Sequence, residues 1–135
     1  MNAKTLLYQV RDEQKEIDII RRKIEEAELA LLPSGIRYDR DKVQASPDDP
    51  MMRLAVKLDR YEAELRKHQA ALLTKRTKAF RMVSRLTDST QRQVLELYFL
   101  GGRRIRMWEV AQIIGYSEQS TYRIYKDALR NLESK

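Results

Sequence analysis

Glu118, Gln119, Tyr122, Arg123 and Lys126 are the side chains of this sequence best placed to act together. They fall on one side of a helical repeat whose other side is Thr121, Ile124, Ala128 and Leu132, spaced by three and four. The polar side offers a carboxylate, an amide, a phenol, a guanidinium and an ammonium, a set suited to recognition by hydrogen bonds and charge. Three more cations, Arg103, Arg104 and Arg106, come shortly before it in the turn-like run GGRRIR (101–106).

Two helices must hold that polar face. The first spans Met107 to Ile114, with Val110, Ala111, Ile113 and Ile114 apolar. Gly115 ends it, because glycine adopts the left-handed conformation that a helix C-terminus often needs. Ser117 can cap the next helix, 117–133, its hydroxyl accepting from a backbone N–H near Gln119 or Ser120. A small residue at Ala111 lets two helices cross closely, and a glycine four residues on lets the chain reverse. Small residue, glycine, cap and polar face, in that order, point to a DNA-binding helix-turn-helix. An ordinary helical hairpin is the plain alternative. In the first reading, Arg103, Arg104 and Arg106 lie where backbone phosphates would pass. The glycines of GGRRIR do not make a phosphate-binding P-loop, since the run is too short and lacks the terminal Lys-Ser/Thr. Before it, TDSTQRQVLELYFL (87–100) reads as a further helix, with Thr87, Asp88 and Ser89 as cap candidates and Val94, Leu95, Tyr98 and Phe99 as its buried face.

The first half of the chain has a different pattern. Leu6, Val10, Glu13, Ile17, Ile20, Ile24, Ala27 and Leu31 step by four and three, a heptad seam in a helix over 3–31 in which only Glu13 is polar. A second row, Met51, Leu54, Leu58, Tyr61, Leu65, His68, Leu72, Lys75, Ala79, Met82 and Leu86, predicts a helix over 51–86. Lone helices of this kind are marginal in water, so each seam needs a partner. The expectation is an antiparallel hairpin that also doubles up as a homodimer through its coiled coil. His68, the single histidine, lies on the seam and reads as a packed residue rather than a ligand or catalyst. The basic run Lys75, Arg76, Lys78, Arg81 and Arg85 admits two readings, a solvated face or phosphate contact.

Between the seams, Leu32 to Pro50 contains all three prolines and four aspartates. A calcium loop starting at Asp39 fails, because its sixth position is Gln44 rather than glycine and its twelfth is Pro50 rather than glutamate. A loop that packs Ile36, Tyr38 and Val43 against the helices is the expectation there.

Totals narrow the class further. The chain has 135 residues, 35% of them charged, with four glycines and three prolines, which favours helices over sheets. There are no cysteines, so disulfides, thiolate zinc sites and cysteine nucleophiles are excluded. No apolar run reaches the length of a transmembrane span, and MNAKTLLYQVRDEQ has no apolar core of signal-peptide length. The net charge of +7 is unevenly placed: residues 1–74 hold 14 Lys and Arg against 14 Asp and Glu, and residues 75–135 hold 13 against 6. A neutral first half and a basic second half fit an assembly arm joined to a polyanion-binding domain. An enzyme is not expected. His68 has no arginine at the spacing a tyrosine recombinase needs, and Asp39, Asp41, Asp48 and Asp49 sit in a proline-bearing linker rather than on a rigid core. No cofactor or metal is expected.

LTDSTQRQVLELYFL, the arginine turn and WEVAQIIGYSEQSTYRIYKDALRNL together resemble region 4 of the sigma-70 family. Leu86, Thr87, Arg92, Val94 and Leu95 match the run that introduces that domain. Val110, Ala111, Gly115, Ser117, Ile124, Ala128, Leu129 and Leu132 match its helix-turn-helix. The similarity covers about 50 of the 135 residues, and nothing resembles the region that melts DNA. The heptad arm and linker look like small phage and prophage regulators of Gram-positive bacteria, of the RinA and ArpU type, which are associated with late-gene transcription. The resemblance implies an all-α fold: a helical hairpin arm over 1–74, with linker 32–50, and a sigma-4-like DNA-binding domain over 75–135. It implies a transcriptional regulator in the bacterial cytoplasm, on the nucleoid, with double-stranded DNA as partner and RNA polymerase as a candidate second partner.

The resemblance carries DNA contact onto Glu118, Gln119, Ser120, Tyr122, Arg123 and Lys126, with Arg103, Arg104 and Arg106 adding affinity. Gln119 would pair with adenine, Arg123 with guanine, and Glu118 would accept from cytosine or stabilise the helix N-terminus. Tyr122 and Lys126 would reach phosphate. Two rivals stand beside this reading: a small-terminase-like DNA-packaging protein that forms rings, and an adaptor that docks on RNA polymerase and barely touches DNA.

Overall fold

The computed structural model describes residues 2–31 and 49–134. Among the described residues the chain forms five helices and no strand: α1 (Ala3–Ala30), α2 (Pro50–Val83), α3 (Ser89–Phe99), α4 (Met107–Ile114) and α5 (Glu118–Glu133). The fold is therefore all-α. Within those residues no helix is long and apolar enough to cross a membrane. Ile36, Tyr38, Asp39, Asp41, Val43 and Asp48 of the linker lie outside the described residues.

One compact unit contains residues 1–15 and 70–135. Its core draws on every helix: Leu6, Leu7 and Val10 of α1, Ala79 and Val83 of α2, Val94, Leu95 and Phe99 of α3, Met107 and Val110 of α4, and Tyr125, Ala128, Leu129 and Leu132 of α5. Burying a side chain of this size stabilises by about 1.5–3 kcal/mol relative to leaving it exposed. The sequence boundary at 74/75 and this division differ at the N-terminus, where residues 1–15 fold with the C-terminal helices. The cause is a wider apolar face. Ala3 and Leu7 are buried beside the heptad residues Leu6 and Val10, and Leu7 is only 1% exposed. A strict seam leaves Leu7 to one side, whereas a core-facing helix buries it.

Long-range polar bonds close the same unit. The α3 C-terminus and the following turn expose carbonyls that the helix cannot satisfy itself. Arg11 Nη1 donates to the Tyr98 carbonyl at 2.7 Å and to that of Ile105 at 3.3 Å. Gln14 Nε2 donates to Gly101 O at 3.1 Å, and Arg76 Nη2 to Leu100 O at 2.7 Å. The Arg11 guanidinium also stacks 4.0 Å from the centre of the Tyr98 ring. Glu13 and Lys75, which interrupt the two heptad rows, form an ion pair at 3.0 Å. Two apparent flaws in the apolar pattern thus answer one another.

The other unit contains residues 16–69. Here the narrow seams behave as their spacing implies. Ile17, Ile20 and Ala27 are buried and Ile24 half-buried, while Leu54, Leu58, Tyr61, Leu65 and His68 are half-buried and most residues between them exposed. Lys23 Nζ lies 5.8 Å from the Tyr61 ring centre. Lys23, Ala27 and Ala30 line a shallow depression with Tyr61, Lys57 and Leu54, so the α1 and α2 segments run antiparallel in this unit.

Candidate nucleic-acid interface

The surface built by α4 and α5 starts from local capping chemistry. The α4 N-terminus is closed by Glu109, whose Oε1 accepts from the Arg106 backbone N–H at 3.1 Å. At its other end Gly115 adopts φ 81° and ψ 26°, and its N–H donates to Ala111 O at 2.9 Å. Tyr116 N–H donates to the same carbonyl at 3.1 Å. Orphan C-terminal groups are thus satisfied while the chain reverses. Ser117 then caps α5, its Oγ accepting from Ser120 N at 3.1 Å. Thr121 is fully buried, and its hydroxyl donates to Ser117 O at 2.8 Å. The turn 115–117 is therefore held from both sides.

Thr121, Tyr125, Ala128, Leu129 and Leu132 are buried, which fixes the rotation of α5 about its axis. Glu118, Gln119, Tyr122, Arg123 and Lys126 consequently face solvent together. Ser120 does not join them: it is half-buried, and its backbone serves the cap. Glu118 lies in the first turn of α5, where a carboxylate complements the helix dipole. Tyr122 packs edge-on to Tyr125, with ring centres 6.2 Å apart.

Beneath this face sits an aromatic cluster that joins α5 to α1 and α3. Tyr98 and Phe99 contact edge-on at 4.9 Å, and Tyr98 meets Tyr125 at 5.5 Å. The hydroxyls of Tyr8 and Tyr125 share a hydrogen bond. Burial, and then the bond with Tyr8, raise the Tyr125 pKa well above the usual phenol value.

The three arginines of the turn are exposed. Arg103 lies 3.7 Å from Glu109, a long and largely solvated ion pair. Buried Ile105 anchors the turn between Arg104 and Arg106. Counted by compact unit, residues 1–15 and 70–135 carry 16 Lys and Arg against 8 Asp and Glu, so the basic excess lies in the unit that bears α5.

No family model, curated protein or solved structure matches the chain.

Sequence reasoning left some side chains unassigned. Trp108 (47%), Ile113 (62%) and Tyr116 (50%) are large, apolar and exposed on α4 and the turn after it. Ile113 is apolar like its helix neighbours, but Met107, Val110 and Ala111 form the buried side with half-buried Ile114. The signal is angular: at about 100° per residue, 107, 110, 111 and 114 cluster on one side of the helix, whereas 113, although three residues after 110, falls outside that arc.

Proposed function

We propose that this protein is a sequence-specific DNA-binding transcriptional regulator. In this reading α4, the Gly115 turn and α5 form a helix-turn-helix, and α5 enters the major groove with its N-terminal half against base edges. One observation carries it. A glycine-reversed, serine-capped helix pair buries one side of α5 and leaves Glu118, Gln119, Tyr122, Arg123 and Lys126 exposed together. In this reading Gln119 pairs with adenine and Arg123 with guanine, while Lys126 and Tyr122 contact phosphate. Arg103, Arg104 and Arg106 add affinity that falls with salt. The basic balance of the unit that bears α5 supports a polyanionic partner.

The helical hairpin formed by α1 and α2 is the assembly arm of this proposal, and it presents the reading helices in pairs. The exposed Met52 and Val56 on α2 support a further contact there. The biological role that the resemblance to small phage regulators implies is activation of phage late genes. Footprinting of a late-gene promoter with and without RNA polymerase tests it. Protection by the protein alone, extended when polymerase is added, is expected. Protection only in the presence of polymerase would favour an adaptor.

A further inference from the structure

The basic stretch at the end of α2 divides into two groups. Lys75 is paired with Glu13 at 3.0 Å, and Arg76 is spent on the Leu100 carbonyl at 2.7 Å. Lys78, Arg81 and Arg85 remain exposed. They step by three and four, so they form one row. Helical winding continues past α2, because Ser84 N–H donates to Phe80 O at 3.0 Å and Arg85 N–H to Met82 O at 3.2 Å. The three cations therefore span about 10 Å along the axis at 1.5 Å per residue. Projected on a duplex axis, where one strand carries a phosphate about every 3.4 Å, that length covers about three phosphates.

Two ordinary explanations account for too little. The helix dipole favours a cation in the last turn, which covers Arg81 but not Lys78. A solvated face normally mixes both signs. Here no acidic residue occurs between Glu64 and Asp88, whereas the exposed part of α1 alternates Asp12, Lys15, Glu16, Asp18, Arg21 and Arg22.

We propose that Lys78, Arg81 and Arg85 form a second phosphate-contacting row that holds double-stranded DNA independently of the bases read by α5. This rests on the DNA-binding reading above. The row carries no sequence information. It adds affinity to any duplex and steepens the salt dependence of binding.

The test is the affinity of the full chain for a short random-sequence DNA duplex, measured across salt concentrations. Each lost phosphate contact makes the log–log slope shallower by about 0.9. The Lys78→Gln, Arg81→Gln, Arg85→Gln triple variant is thus expected to lose about 2.7 in slope. Over an approximately fourfold rise in salt, the native protein would lose about 40-fold more affinity than the variant. Thermal melting verifies that the variant is folded, and Lys78→Gln alone, with a slope change of about 0.9, serves if it is not. An unchanged slope in a folded variant overturns the proposal while leaving DNA binding by α5 intact. Loss of binding to poly-glutamate with an unchanged DNA slope also overturns it, in favour of an acidic protein surface. Native protein that binds no duplex at any salt concentration removes the DNA-binding reading itself.

Discussion

Replacing Gly115 by alanine separates backbone strain from packing with unusual clarity. Gly115 has φ 81°, and a Cβ built there meets nothing within 4 Å. The cost is therefore conformational, not steric crowding by neighbours. An L-residue held in the left-handed region costs about 1–2 kcal/mol. The lower entropy of alanine in the unfolded chain returns about 0.4–1 kcal/mol. A net loss of about 1 kcal/mol remains, a melting shift of roughly 4 °C for a chain of this size. Asparagine tolerates this conformation better and should cost less, while β-branched valine should cost more. Gly102 supplies the control. Its Cβ would also meet nothing within 4 Å, but its φ lies outside the left-handed region. Gly102→Ala should therefore be neutral or slightly stabilising. Thermal melts of the four variants decide the matter. Equal effects of alanine at 115 and 102, or valine no worse than asparagine at 115, would refute the strain argument.

Two other expectations concern stability and assembly. Tyr125 has its pKa raised by burial and by the Tyr8 hydroxyl, so its stabilising contribution is intact below the unfolded phenol value of about 10 and declines as pH rises above it. Tyr125→Phe should flatten that alkaline decline in denaturant titrations, and an unchanged pH profile would remove Tyr125 as its source. Sedimentation of the full chain should give a dimer that dissociates on dilution, and a monomer at all concentrations would end the arm's assembly role.

The parts of the fold that were readable in the sequence share a physical basis: their signals are local. Gly115 and Ser117 announce a reversal and a cap within three residues, and both take those roles. Asp88, one of three cap candidates, caps α3 by accepting from Thr90 N and Gln91 N. The heptad rows of α1 and α2 were visible because a helix buries every third and fourth residue. What escaped was non-local. Arg11, Gln14 and Arg76 satisfy carbonyls around residues 98–105, and no periodicity marks a side chain for a backbone acceptor some 24 to 94 positions away. Leu7 and Tyr8 lay off the seam, so the membership of residues 1–15 in the C-terminal unit did not show. At the candidate site, the exposed face of α5 followed from its buried row. Ser120 stands apart from that face: it is half-buried and its backbone N–H bonds the Ser117 hydroxyl.

Selection of binding sites from a random-sequence duplex library, with native protein and Arg123→Ala in parallel, tests the central claim most directly. The expected result is a recurring motif for the native protein. Arg123→Ala should lose preference at one base pair by about 1–3 kcal/mol, with the rest of the motif kept. A folded native protein that enriches no motif would contradict sequence-specific reading by α5.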